Sequence, residues 1–314
     1  MIKKFFCSVF MLLAALVVIS GCGTSAGTTD ATADNAHIEE QVTIKALDIG
    51  QGDALLINTG AQVILIDTGD NKYRDGEHKG ENNNQLFEAL EHEGITHIDK
   101  LIVTHAHADH IGNAANVIKK YSVGELIYNG IPSAGSPFRS MLKAANGKGV
   151  TKTQVKAGDV LDFGKGVVFE VLSPTSELVA KDTKELTANE KVNVNNESIV
   201  GRLTFGEFSM LFTGDAEKEI EKELVARYGG EKLNSKIYKV AHHGSHSSSS
   251  KSYVKAIKPE WAIISCGKEK TYGHPHKEPM KLFKDMGINV METDLNGTIT
   301  ITTDGKIYAV TGER

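Results

Sequence analysis

Between Thr104 and Ile111 the chain reads His105-Ala106-His107-Ala108-Asp109-His110, three imidazoles and a carboxylate within six positions. Side chains two apart on an extended segment project to the same side, so His105 and His107 can chelate one cation together. Asp109 and His110, in the turn that follows, can face a second. Imidazole and carboxylate donors suit zinc, and manganese or iron are chemically admissible. Two further stretches supply what this run lacks. Met210-Leu211-Phe212 is apolar and ends in Thr213-Gly214-Asp215, so a carboxylate emerging there at a sheet edge can bridge two metals. Lys239-Val240-Ala241 runs into His242-His243-Gly244-Ser245-His246, a second histidine-bearing loop after a strand. Two cations roughly 3.5–4 Å apart lower the pKa of a bridging water towards neutrality, which makes a hydroxide nucleophile without a strong base.

Such donors need a frame, and the hydrophobic pattern predicts one. Short β-branched and apolar runs separated by glycine-rich turns give strands over 42–47, 54–57, 63–66, 100–103, 125–128, 167–172, 198–205, 209–212, 237–240, 261–265 and 298–302. Helical periodicity falls over 86–90, 112–120, 216–228, 252–257 and 279–286. The mixture predicts an α/β fold, two mixed sheets face to face with helices outside. Residues 175–193, charged and weakly periodic, read as a surface insertion near the site.

The amino terminus carries an address. Lys3 and Lys4 precede an apolar run over 5–19, short for a bilayer span but the right length for a signal-peptide core. Ile19-Ser20-Gly21-Cys22 resembles the lipobox of bacterial lipoproteins. The expectation is a signal peptide over 1–21, lipid on Cys22, a flexible polar tether over 22–41, and a folded body over 42–314 held on the extracytoplasmic face of the cell membrane. Cys7 would be lost and Cys22 acylated, which leaves Cys266 alone and predicts no internal disulfide. The formal charge of −5 gives no footprint for tight duplex-DNA binding, and a nucleic-acid strand would need a local basic groove. Lys239, Lys251, Lys255, Lys268 and Lys270 are the residues expected to line it.

The chain resembles the metallo-β-lactamase superfamily in Asp67-Thr68-Gly69 after a strand, in the His-x-His-x-Asp-His run at 105–110, and in the later Asp and His in family order. The likeness covers roughly 42–310. Within the superfamily it is similar to the competence branch, which includes the hydrolase domain of ComEC, and to the phosphorylcholine esterases. That finer resemblance rests on Leu47-Asp48-Ile49-Gly50-Gln51-Gly52-Asp53-Ala54, Thr213-Gly214-Asp215-Ala216, His242-His243-Gly244-Ser245 and Tyr272-Gly273-His274-Pro275-His276.

What the resemblance implies is an αββα sandwich holding two divalent ions, zinc first and manganese second. One ion would take His105, His107 and Asp215, the other Asp109, His110, Asp215 and His243, because the family's last ligand commonly stands directly before glycine. Asp67 would orient the His105 loop by hydrogen bonding. Many members add a histidine between the two halves of the ligand set, yet none occurs from 111 to 214, so one shell has room for water or a substrate oxygen. Asn193, Asn195 or Asn196 falls where that ligand would be, and Asn196 is an expected substrate contact with Ser245 and His276. Asp109, His242 and His274 are the catalytic candidates, the two imidazoles for leaving-group protonation or phosphate binding. The leading expectation is a phosphodiesterase or nuclease. Its substrate would be single-stranded DNA or, in the esterase-like version, a phosphocholine-bearing polymer or lipid headgroup. A lactone or ester hydrolase uses the same chemistry, and a metal-containing binding lipoprotein without turnover is the non-enzymatic alternative; no protein partner is inferred.

Overall fold

The computed structural model describes residues 41–73, 80–268 and 272–314. The expected signal peptide, Cys22, nearly all of the expected tether and Lys270 lie outside the described residues. Six strands open the folded unit: β1 (Val42–Ala46), β2 (Leu55–Asn58), β3 (Val63–Ile66), β4 (His97–Ile102), β5 (Ser122–Tyr128) and β6 (Thr151–Gln154) lie side by side in one sheet. A second sheet takes β7 (Val160–Asp162), β8 (Val168–Ser173), β9 (Val200–Phe205), β10 (Phe208–Phe212), β11 (Ile237–Lys239), β12 (Trp261–Ile264) and β13 (Asn289–Glu292). The chain then returns to the first sheet, where β14 (Ile299–Thr303) pairs antiparallel with β1 and β15 (Tyr308–Gly312) pairs with β14. Strands β3 to β6 and β10 to β13 run parallel, as strands joined by helical crossovers must.

The connections carry α1 (Gln85–His92), α2 (Ala108–Ile111), α3 (Ala114–Lys120), α4 (Ser136–Lys148), α5 (Ser176–Thr187), α6 (Lys218–Leu233), α7 (Lys251–Ile257), α8 (Lys277–Asp285) and α9 (Thr293–Asn296). Their apolar faces explain why β3 is buried along its whole length. Ile64 and Ile66 point between the sheets with Ile44, Ile102, Phe169 and Met210. Val63 and Leu65 point the other way, into a layer with Leu86 and Leu90 of α1 and Met141 of α4. The second sheet repeats this on its far side, where Leu211 and Tyr238 pack with Leu224, Tyr253 and Phe283. A strand buried on both faces reads as a continuous apolar run. The architecture is helix, sheet, sheet, helix, the α/β class that the sequence predicts.

Four strands escape the sequence pattern, β6, β7, β13 and β15, and they are the four edges of the two sheets. An edge strand pairs on one side only and leaves polar residues towards solvent, so its hydrophobic signal is weak. The sequence reading also missed α4, although Pro137 in its first turn and Gly149 at φ 69° beyond its last mark both ends. Residues 175–193, expected to be an insertion, hold α5, whose N-cap Thr175 accepts a hydrogen bond from Leu178 N at 3.1 Å. The helix expected over 112–120 is α3, which begins at Ala114, and the short α2 precedes it. Among the described residues no helix is long and apolar enough to cross a membrane.

Candidate metal centre

Strand ends converge at one side of the sandwich. His105 follows β4, Asp215 follows β10, and His243 follows β11, whose parallel pairing with β10 sends both loops the same way. Gly214 makes the approach possible: its φ is 48°, and a Cβ there would stand 2.9 Å from Ser198 Oγ and 3.1 Å from Thr104 Cβ. His242 and His243 both adopt left-handed backbone, φ 50° and 52°, which costs on the order of 1–3 kcal/mol each and is held by the surrounding structure. Asp67, at φ 61°, is a third such residue.

Four side chains form one group: Asp109, His110, Asp215 and His243 each offer a donor atom within 4.8 Å of the others. His105, His107 and Asp215 form a second group on the same criterion, so Asp215 belongs to both. Its two oxygens divide the work. Oδ1 lies 3.1 Å from His110 Nε2 and 3.6 Å from His243 Nε2, whereas Oδ2 faces His105 Nε2 at 3.8 Å. His105 Nε2 and His107 Nδ1 are 3.2 Å apart, near the ~3.3 Å that separates two nitrogens on a tetrahedral zinc shell.

Three of the four imidazoles are held from behind. Asp67 accepts from Thr104 N at 2.8 Å, from Thr104 Oγ1 at 2.7 Å and from His110 Nδ1 at 2.8 Å. A carboxylate can only accept, so the His110 proton sits on Nδ1 and Nε2 is free to ligate. Asp67 thus grips His110 directly and reaches His105 only through Thr104, whose Oγ1 is 3.1 Å from His105 Nδ1. His243 donates from Nδ1 to the Ser265 carbonyl at 2.9 Å and turns Nε2 to Asp109 Oδ2 at 3.3 Å. His110 Nε2, Asp215 Oδ1 and His243 Nε2 are all buried with no hydrogen-bond partner. Orphaned buried donors and acceptors cost about 1–3 kcal/mol each unless something binds them, and a cation satisfies all three at once.

Charge balance says the same. Burial alone would depress His110, but Asp215 and Asp67 reverse this and hold it well above the ordinary histidine range. Burial would likewise lower His243, and Asp215, Asp109 and Asp53 lift it to about 10. Burial would raise the Asp215 carboxyl, and the charges of His110 and His243 outweigh it. A field that raises imidazole basicity this far attracts metal cations as well as protons.

A cavity of about 310 Å³ opens onto these groups, lined also by Gln51, Asp70, Asn195, His242, Tyr272 and His274. His242 lies at its wall with Nε2 3.8 Å from Asp215 Oδ2. His274 is 7% exposed, its Nδ1 has no hydrogen-bond partner, and burial together with His243 and His242 pushes its pKa down to about 3, so the ring is neutral. Three side chains expected against substrate take other partners. Asn196 donates to Glu219 Oε2 at 3.0 Å, Ser245 is buried against Ser247, and His276 lies beside the rim residue His246. Asn195, one residue from the favoured asparagine, lines the cavity instead.

Lys239 corrects the proposed basic groove. It is fully buried beneath the site, 2.8 Å from Asp53 Oδ2, while Lys251, Lys255 and Lys268 are exposed. Asp53 also places Oδ1 3.5 Å from His243 Nδ1 and donates its backbone N–H to the Asp109 carbonyl at 3.1 Å. Its position next to Gly52 in the Gly50–Ala54 motif was the available signal, but the lysine partner lies 186 positions away in the chain.

An αββα sandwich with paired His/Asp clusters at one end of its sheets defines a metal-dependent hydrolase scaffold with a dinuclear centre. The chain belongs to the metallo-beta-lactamase superfamily, whose family model matches residues 47–268. It is 35% identical over 267 residues to ComE operon protein 3 of Bacillus subtilis, covering 82% of this chain and 32% of that protein. It is 29% identical over 261 residues to competence protein ComA of Neisseria gonorrhoeae, with 83% and 32% covered. The likeness to competence proteins expected from the motifs is borne out, and the chain spans about a third of the length of these curated relatives. Among solved structures, CmlA, a diiron beta-hydroxylase from Streptomyces venezuelae, has a TM-score of 0.53 at 15% identity over 83% of this chain and 54% of CmlA. The metallo-beta-lactamase fold protein YhfI from Bacillus subtilis has a TM-score of 0.52 at 10% identity, covering 84% of this chain and all of YhfI. Both likenesses show a shared fold.

Proposed function

We propose that this chain is a phosphodiesterase that works with two zinc ions, held by His105, His107 and Asp215 on one side and by Asp109, His110, Asp215 and His243 on the other. The observation that carries this reading is Asp215, whose two oxygens reach two separate histidine groups while the buried atoms around it lack partners. Ions bound there would supply Lewis acidity for the phosphoryl oxygens and a water that ionises near neutral pH. The chain's own side chains do the rest. Asp67, Ser265 and Thr104 fix the ring orientations, and the cavity admits a phosphoryl group beside His242 and His274. His274, neutral with a free ring nitrogen, contacts a phosphoryl oxygen. His242 Nε2 takes up a proton from solvent before the attack. It delivers that proton to the leaving oxygen as the P–O bond breaks and the electron pair stays on oxygen.

The nuclease form of this reading, with a single DNA strand as substrate, draws support from the competence relatives. The amino-terminal sequence supports an extracytoplasmic, lipid-anchored protein with residues 42–314 as its catalytic body, and loss of fatty-acid labelling in Cys22→Ser tests the anchor. Turnover of bis-p-nitrophenyl phosphate, single-stranded oligonucleotides, phosphocholine esters and a lactone panel by the metal-loaded chain tests the activity. Metal-dependent phosphodiester hydrolysis, abolished in Asp215→Ala and His107→Ala, is expected. A folded, metal-loaded protein that cleaves only lactones, or nothing, overturns it.

A further inference from the structure

Glu217 stands two residues beyond Asp215 and its carboxylate is gripped from several sides. Asn193 Nδ2 donates to Oε2 at 2.8 Å and Asn195 Nδ2 donates to Oε1 at 3.2 Å, while the Glu217 backbone N–H donates to Asn196 Oδ1 at 3.1 Å. These are three of the four residues of one short loop, so the asparagines earlier in the chain serve as a cradle for this carboxylate. Oε1 of Glu217 lies 3.3 Å from His242 Nδ1, and Ser247 Oγ lies 3.0 Å from the same nitrogen.

We infer that Glu217 is the positioning residue for His242: it fixes the tautomer with the proton on Nδ1 and directs Nε2 to the cavity. The inference rests on the phosphodiesterase reading for its consequence, though not for its geometry. An ionised carboxylate has no proton to give, so a ring nitrogen facing it must carry one. Ser247 is consistent with this, because its hydroxyl oxygen, 3.0 Å from the same nitrogen, accepts from a ring N–H placed there. Nε2 is therefore the nitrogen that bears a lone pair on the side of Asp215. When that lone pair takes up a proton, the imidazolium gains a carboxylate partner at Nδ1, and Nε2–H is aimed at the leaving oxygen. Asn193 and Asn195 keep the carboxylate from rotating away. Glu217 lines neither the cavity nor either ligand group of the centre.

The test uses the full chain loaded with zinc, with Glu217→Gln and Glu217→Asp beside His242→Gln. Two readouts separate the inference from the functional reading. Nitrogen-15 spectra of histidine-labelled protein, with the His242 signals assigned by their loss in His242→Gln, should show protonated Nδ1 in the parent. They should show a mixed or reversed tautomer in Glu217→Gln, with the parent form restored in Glu217→Asp. Kinetics on phosphodiesters of graded leaving group should show kcat in Glu217→Gln falling about 10–100-fold for phenyl and alkyl leaving groups with KM little changed. The loss should shrink to a few-fold for p-nitrophenyl, which departs without a proton, and the double variant should lose no more than His242→Gln alone. An unchanged tautomer in Glu217→Gln, or a loss independent of leaving group, overturns the inference. A parent inactive on every phosphodiester, with the tautomer still controlled by Glu217, sinks the phosphodiesterase reading and leaves the positioning role standing.

Discussion

Replacing Lys239 by methionine should destabilise the protein by about 3–5 kcal/mol, because it strands a carboxylate inside the fold. Lys239 Nζ and Asp53 Oδ2 are 2.8 Å apart and each side chain is 1% exposed. At an effective dielectric constant of 20 that separation corresponds to roughly 6 kcal/mol of attraction, much of which offsets the desolvation of both ions. Methionine keeps the length of the stem but leaves Asp53 with imidazoles, His243 Nδ1 at 3.5 Å the nearer contact and His110 beyond, in place of the ammonium. Asp53→Asn removes the counter-charge and leaves the lysine ammonium with neutral acceptors such as the Val240 carbonyl at 3.0 Å, and should cost a similar amount. The double variant should cost about 2–4 kcal/mol less than the two singles together, which is the signature of a coupled buried pair. Urea unfolding in excess chelator at pH 7, with m unchanged across the set, measures this without a contribution from bound metal. The pH dependence follows from signs. Burial raises the Asp53 carboxyl, but Lys239 and His243 outweigh it and hold it well below the ordinary range. Its contribution to stability is therefore present above the unfolded pKa of about 3.9 and is lost as pH falls through the folded value. In Lys239→Met the burial effect is no longer opposed by the lysine, so the deficit should be largest near neutrality and narrow towards pH 4. Single variants that each cost under about 1 kcal/mol, or a deficit that grows on acidification, would refute the reasoning.

Asp67→Asn should weaken zinc binding by about 10–100-fold, read by competition with a chromophoric chelator, because His110 loses the acceptor that keeps Nε2 free. Gly52→Ala places a Cβ 2.3 Å from the Asp109 carbonyl oxygen at φ 133°, so calorimetry should show a loss of about 2–3 kcal/mol, and metal analysis a lower content. Glu197 is pushed up to about 8 by burial and then by the charge of Asp182, so it is protonated in the fold at neutral pH. Its unfolded pKa is near 4.3, so the parent loses stability as pH rises from there through 8, and Glu197→Gln should melt higher than the parent at pH 9 with little difference at pH 5. A melting difference that does not change with pH contradicts that assignment.

Much of the site was legible because its donors are clustered in the chain. His105, His107, Asp109 and His110 share six positions, and Asp215 and His243 each end an apolar run whose strand character is local. The interior strands were equally readable, since both of their faces are buried and their apolar residues are contiguous. The edge strands were not, because solvent covers what would otherwise be a packing face. Residues with charge and reach were misjudged for the same reason: nothing near Lys239 in the sequence says that it points inward at Asp53.

By itself the sequence determined the donor chemistry, the order in which strands deliver the ligands, the α/β class and the superfamily. These follow from residue type and from periods of two and 3.6, which are properties of neighbouring positions. Only the tertiary structure decided how those pieces meet. Parallel pairing of β10 with β11 brings Asp215 and His243 to one edge, and left-handed backbone at His242 and His243 turns one ring into the ligand group and the other to the cavity wall. Likewise, the asparagine loop became a cradle for Glu217 through contacts some 22 residues apart. Register and backbone handedness depend on the whole packed fold, so no local pattern could have announced them.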